Sequence, residues 1–581
     1  MTKIRIALAA ATAALALQPL ALSAHEMAAG SAGKAPQSKQ TISEDQLPLD
    51  PRFSADRFKA DVAFLADDLL EGRDTGSVGY EIAARFVAQR FAALGLQPAG
   101  DLQADGKRSW YQQITFQKTE RDGAAGTLTV TGPAGTKNFT HGVDAIIGLN
   151  ANEPKLNVSA PLVFVGYGME NKRLGLDDYA GLDVKGKIVV ILRGFPGDLP
   201  SEEAAYASSA ATKYEIAQAH GAIGVITVGT NVSLKVRPWE RSLQTADSPS
   251  VTWIGKDGKA FDETPSIRAA ASVNDVAGAA IFAGAPQTLA QIRTLADRKG
   301  GRPKGFALKT SITIKGESKT SRVTSPNVVA MLPGSDPTLK NEYIALSGHL
   351  DHIGINPAKP GDPKDKDRIN NGAMDNAAGV ATLLEVARVL GEDKAAPRRS
   401  VIFLASTGEE KGLLGADYFA RHPSAPIEKI VGNVDLDMPL LSYPFADVTA
   451  YGADHSTIGA QVRAAIAPMK LSLAPDPTPE ETIFVRSDHY MFVKQGVPAV
   501  FLCTGYGNGG QAHWEDFLQN RYHLPNDDMN QPVIWRAAAR FAEANYRITR
   551  AMADADTPPE WYKGDFFGDL FAPSRTKAAT R

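Results

Sequence analysis

YIALSGH (343–349) and SVIFLAST (400–407) are short continuous apolar runs that end on polar residues. Runs of this length and texture are strands buried on both faces. NVVAMLPG (327–334), GNVDLDM (432–438) and VPAVFLCTG (497–505) read the same way. Helical patterns lie between them, as in Val380, Leu383, Leu384, Ala387 and Leu390. Strand and helix alternate from 327 to beyond 505, which predicts an α/β fold with a mostly parallel sheet flanked by helices on both faces. In such sheets chemistry sits beyond the carboxyl ends of the strands.

Polar residues gather at those ends. His349 closes one strand, Glu409 and Glu410 follow another, and Asp437 lies at the end of a third. Asp375, in GAMDNAAG (372–379), stands directly before a helix, and His523 lies in the loop RYHLPNDD (521–528). Two imidazoles and three carboxylates suit a pair of divalent ions such as zinc. The proposed ligands are therefore His349, Asp375, Glu410, Asp437 and His523, with Asp375 bridging and Glu409 as the base. Asp351, two residues after His349, is the expected acceptor for the second ring nitrogen of that histidine. Asp435 and Asp437 share one face of their strand, so either can serve, and the position of Asp437 nearer the carboxyl end favours it. His489, His352 and His513 compete with His523.

The chain has 581 residues, which calls for more than one domain. Its 62 basic and 65 acidic residues leave a net charge of −3, which argues for neither nucleic acid nor an anionic membrane as partner. Its one cysteine, Cys503, excludes an intrachain disulfide and a cysteine-rich zinc knuckle.

Lys3 and Arg5, an alanine-rich apolar run from Ile6 to Leu22, and the small residues Ser23 and Ala24 form a secretory signal peptide over 1–24. The mature chain is expected to be exported, periplasmic or secreted, without membrane insertion. A disordered linker is expected over 25–50, where Ala, Gly, Ser, Lys and Gln predominate. The first part of the main domain covers 51–139, with a helix capped by Ser54, another stopped by Gly95, and the glycine-punctuated loop EGRDTGSVG (71–79) between them. Short strands such as PLVFVGYG (161–168), GKIVVILRG (186–194) and IGVITVG (223–229) mark a β-rich insertion over 140–299. The catalytic part follows over 300–556, then a tail over 557–581 whose Trp561, Phe566, Phe567, Leu570 and Phe571 need a surface to pack on.

Taken in order, EGRDTGS, HxDHxG, GAxDNAAG, EExGLLG, SDHxxFxxxGVPA and YHxPxD resemble the zinc aminopeptidases of peptidase family M28 from about 54 to 555. The insertion resembles a protease-associated (PA) domain, through GYG (166–168), DVKGKIVVILRG (183–194) and AHGAIGVI (219–226). The resemblance implies two zinc ions, one held by His349, Asp375 and Asp437 and the other by Asp375, Glu410 and His523. It also implies Asp351 as the residue orienting His349, a cis peptide between Asp375 and Asn376, and Tyr506 as the candidate oxyanion tyrosine. Asp435 departs from the asparagine that many members carry there. The expected substrates are peptides with a free N-terminus. Competing functions are a carboxypeptidase or glutaminyl cyclase on the same fold, and a binding protein on a dead peptidase scaffold. A carboxypeptidase needs a basic grip, for which Arg486 lies near the site motif, whereas a dead scaffold would have lost ligands.

Overall fold

The computed structural model describes residues 42–579 apart from 124–125 and 359–360. The signal peptide and most of the linker lie outside the described residues.

Four strands form the parallel centre of the main sheet: Ala499–Thr504, Ile430–Asp435, Tyr343–His349 and Ser400–Ser406, in that spatial order. Apart from half-buried Tyr343 they are buried along their whole length, as their continuous apolar composition requires. Antiparallel strands close both sides. Asp447–Tyr451 pairs with Ala499–Thr504, and Phe306–Leu332 pairs with Ser400–Ser406. Helices flank the sheet. Ala378–Glu392 packs against both Trp535–Ala553 and Ala55–Leu65, and Leu414–Arg421 packs against His489–Lys494. Ser54 caps its helix by accepting the N–H of Arg57 at 3.3 Å, and Gly95 follows the helix Val78–Ala93 at φ +74°.

NVVAMLPG proves to be the end of a much longer strand. Phe306–Leu332 runs for 27 residues, and only its last part pairs with Ser400–Ser406. Its middle pairs antiparallel with Tyr111–Arg121 and its first part with Lys155–Phe164. Alternating burial carries the strand out of the main core and into a second one. That second sheet holds Ile188–Leu192, Gly224–Val228 and Ala269–Val273, all parallel, and it also takes in Thr127–Gly132 and Gly135–Thr140. The inserted unit has its own apolar core around Phe164, Val190, Leu192, Ile226 and Ile314.

Residues 42–50, read as the end of a disordered linker, instead pack on the catalytic unit. Leu47 is buried, Ile42 exchanges hydrogen bonds with Asn508, and the N–H of Asp50 donates to Glu543 at 2.8 Å. The apolar Leu47 and Leu49 within an otherwise polar stretch account for this. The tail finds its surface too. Trp561 is buried and donates to the carbonyl of Gly496 at 2.9 Å, and Phe566 and Phe567 stack edge-on against Tyr206 of the inserted unit. Among the described residues no helix is long and apolar enough to cross a membrane.

Candidate metal centre

Chain topology brings the proposed ligands together at the carboxyl ends of the central strands. His349 ends its strand, Glu409 and Glu410 follow Ser400–Ser406, and Asp437 lies just beyond Ile430–Asp435. Asp375 precedes the helix Ala378–Glu392, and His523 follows the helix Gly510–Asn520. Asp375 lies between the two imidazoles: its Oδ1 is 3.2 Å from His349 Nε2 and its Oδ2 is 3.3 Å from His523 Nε2. Asp437 Oδ1 is 3.1 Å from His349 Nε2, and Glu410 Oε2 is 3.2 Å from His523 Nε2. Glu409 Oε2 stands off at 3.9 Å from His349 Nε2. The peptide between Asp375 and Asn376 is cis.

The two aspartates of NVDLDM part company. Asp435 is committed inward, accepting the hydroxyls of Ser347 and Ser487 at 2.6 Å each. Asp437 turns toward the imidazole and shares the Ser487 hydroxyl with Asp435, its Oδ2 lying 2.8 Å from Ser487 Oγ. Asp351 also differs from expectation. His349 Nδ1 donates to the backbone carbonyl of Asp351 at 3.0 Å, not to its carboxylate. With a spacing of two residues the main chain turns back on the ring before the side chain can reach it. The carboxylate instead accepts the N–H of Glu409 and the hydroxyl of Thr75, both at 3.1 Å.

Among the competing histidines, His352 belongs to the cluster. It is fully buried, and its Nδ1 lies 2.6 Å from Glu410 Oε1. Two donor groups have ligand atoms within 4.8 Å of one another: His349, Glu409 and Asp437, and His352, Asp375 and Glu410. His489 is buried behind Asp435, and His513 is occupied by Ser442 at 2.9 Å.

Other residues of the cluster escape sequence reasoning. Asp527 is fully buried and accepts the backbone N–H groups of Met374 and Asp375 at 2.9 and 3.0 Å. Arg73 is buried and donates to the carbonyls of Leu350, Asn371, Gly372 and Leu65. Burial lowers its pKa to about 10, against the pull of Asp527, Asp351, Asp375 and Glu410. Its position in EGRDTGS, a motif without a ligand, was the available signal.

The electrostatics fit a pair of cations. Burial pushes the Glu409 carboxyl well above its ordinary range, and the neighbouring Glu410, Asp437 and Asp488 add to this while His349 opposes it. Burial also disfavours ionised Asp375, but hydrogen bonds from His349 and His523 outweigh it and hold that carboxyl well down. Acidic oxygens thus exceed the imidazoles and Arg73 that balance them. Imidazole and carboxylate donors converging on such an excess of negative charge suit two divalent ions of the zinc type.

A cleft opens beside His349, Asp375, Glu409, Asp437 and His523. One part is apolar, with Met438, Tyr451, Ile483, Phe501, Cys503, Trp514 and Leu518. Thr478, Glu481, Arg486, Tyr506 and Tyr522 add polar groups. Arg486 donates to the Glu481 carbonyl at 3.1 Å and to the Tyr522 hydroxyl at 3.2 Å. The ring of Tyr522 lies 3.9 Å from that of His523, so this tyrosine joins Tyr506 as a candidate phenol.

Two stretches of the chain match known family models. Residues 327–549 match the model of peptidase family M28, and residues 158–261 match the PA domain. The chain thus carries a stretch similar to peptidase family M28 and, within the inserted unit, a stretch similar to a PA domain. It is 28% identical over 261 residues to the probable leucine aminopeptidase 2 of Aspergillus oryzae, covering 41% of this chain and 47% of that one. It is 33% identical over 154 residues to a probable zinc metalloprotease of Pyrenophora teres f. teres, covering 26% of this chain and 30% of that one. The chain therefore spans about half the length, or less, of these curated relatives. Among solved structures, an aminopeptidase from Aneurinibacillus sp. strain AM-1 matches with a TM-score of 0.47 and 22% identity, covering 87% of this chain and 95% of that one.

Proposed function

We propose that this chain is an exported binuclear zinc aminopeptidase that removes N-terminal residues from peptides. The observation that carries the reading is the placement of Asp375 between His349 and His523, at 3.2 and 3.3 Å. His349, Asp375 and Asp437 would hold one zinc, and Asp375, Glu410 and His523 would hold the other. Bound zinc supplies Lewis-acid polarisation of a scissile carbonyl and makes a water acidic enough to attack near neutral pH.

The chain's own residues do the rest. Glu409 takes a proton from the attacking water and returns it to the leaving amine. Asp351 seats Glu409 through its backbone N–H and fixes the His349 ring through its own carbonyl. Tyr506 or Tyr522 donates to the developing oxyanion, and the adjacency of Tyr522 to His523 favours the latter. The apolar wall of Met438, Tyr451, Ile483, Phe501 and Trp514 receives the first side chain of the substrate, which favours bulky apolar residues. Arg486 is already engaged by Glu481 and Tyr522, which leaves it a poor grip for a substrate carboxylate and disfavours carboxypeptidase chemistry.

The test is hydrolysis of aminoacyl-p-nitroanilides with free and acetylated amines, before and after chelation and zinc add-back. Zinc-dependent release from free-amine substrates alone is expected. No release from any of them by zinc-loaded protein would overturn the aminopeptidase reading and direct attention to carboxypeptidase or cyclase substrates.

A further inference from the structure

Ser201 and Glu202 open the helix Ser201–Ser208 of the inserted unit, and both side chains reach the catalytic unit. Glu202 Oε1 accepts the N–H of Gly452 at 2.7 Å, and Oε2 lies 2.5 Å from His455 Nε2. The hydroxyl of Ser201 donates to Asp476 Oδ2. Asp476 Oδ1 in turn accepts the hydroxyl of Tyr451 at 3.3 Å and the N–H of Thr478 at 2.9 Å. Gly452 sits at φ +86°, and a Cβ there would lie 2.3 Å from the carbonyl oxygen of Ala499. The turn after Tyr451 is therefore confined by its own backbone, and Glu202 holds the N–H that it presents.

What these contacts hold is one wall of the cleft. Tyr451, Pro477 and Thr478 line it, and the same segment continues to Glu481, Ile483 and Arg486. Ser201–Ser208 also packs against Pro479–Glu481 and Ile483–Val485. The residues lining the cleft all belong to the catalytic unit, so the inserted unit acts from one step behind the wall.

We infer that Ser201 and Glu202 are positioning residues for substrate selection: from the inserted unit they set where Tyr451 and Thr478 stand, and so the space open to the first side chain of the substrate. The inference rests on the aminopeptidase reading above. A displaced wall changes the fit of large and small side chains unequally, and one methylene in an apolar pocket already changes selectivity by about tenfold or more.

The experiment compares wild type with Glu202→Ala and Ser201→Ala. It reads kcat and KM on alanyl, leucyl and phenylalanyl p-nitroanilides, together with zinc content and amide hydrogen exchange over 449–456 and 476–486. Glu202→Ala should shift the phenylalanyl-to-alanyl ratio of kcat/KM by about tenfold, mainly through KM, with zinc content unchanged. Faster exchange in both segments should accompany the shift. An equal loss on all three substrates, or an unchanged ratio, would reduce Glu202 to a structural tie and overturn the inference. If Glu202→Ala does not fold, Ser201→Ala, which removes one hydroxyl at the same wall, is read by the same criteria. If wild type cleaves no free-amine substrate, the aminopeptidase reading fails and selection on such substrates falls with it. The exchange data then decide the clamp by itself, and unchanged protection would show that it does not hold the wall.

Discussion

Asp527 Oδ2 accepts the backbone N–H of Asp375 at 3.0 Å, so the loop that carries His523 also seats the carboxylate lying between the two imidazoles. Asp527 Oδ1 takes the N–H of Met374 in the same way. One side chain thereby fixes the backbone at the centre of the donor cluster without facing the cleft.

Asp527→Ala strands both N–H groups in a buried environment. Each such group costs about 1–3 kcal/mol when left unpaired. Denaturant unfolding of the metal-free variant should show a loss of that order. Zinc titration should show binding weakened about 10- to 100-fold, the usual scale for removing an outer partner of a ligand.

Glu409→Gln separates the base from the ligands. Its carboxylate stands 3.9 Å from His349 Nε2, farther than Asp375 or Asp437. The variant should lose at least about 10²- to 10⁴-fold in kcat while retaining its zinc. Metal analysis of the purified variant checks this, and loss of zinc would make Glu409 a ligand.

Chelation should lower stability as well as activity, because ligands that converge only in the folded chain bind metal to that state alone. Calorimetry with and without a chelator should show a lower melting temperature for the stripped protein, restored by adding zinc.

His455 gives the junction of the inserted unit, the catalytic unit and the tail a pH dependence. Burial alone would lower its pKa, but Glu202 at 2.5 Å and Asp565 at 2.6 Å raise it from 6.5 to about 10. The folded value exceeds the unfolded one, so the contribution is full below 6.5 and fades as pH rises through about 10. Denaturant unfolding should therefore show His455→Gln trailing wild type most at about pH 6 and least at about pH 10.

The parallel centre of the sheet is legible in the sequence because strands buried on both faces must be continuously apolar, as YIALSGH and SVIFLAST are. The donor cluster is legible because His349, Glu409 with Glu410, and Asp437 all stand where such strands end. What stays hidden is set by the main chain or by distant partners. Asp351 acts on His349 through a carbonyl and Asp527 binds backbone N–H groups, roles that leave no pattern of side-chain types, and Arg73, which binds carbonyls, is marked only by its place in EGRDTGS. The 27-residue strand Phe306–Leu332 hides because its pairing changes from one sheet to the other midway. The link from Glu202 to Gly452 joins residues about 250 positions apart and has no local signature at either end.

The sharing of Asp375 is tested most directly by anomalous diffraction at the zinc edge from crystals of the zinc-loaded protein. Two peaks are expected, one against each oxygen of Asp375, with His349 and Asp437 on the first and His523 and Glu410 on the second. A single peak, or a second peak bound by His352 in place of His523, would contradict the proposed centre.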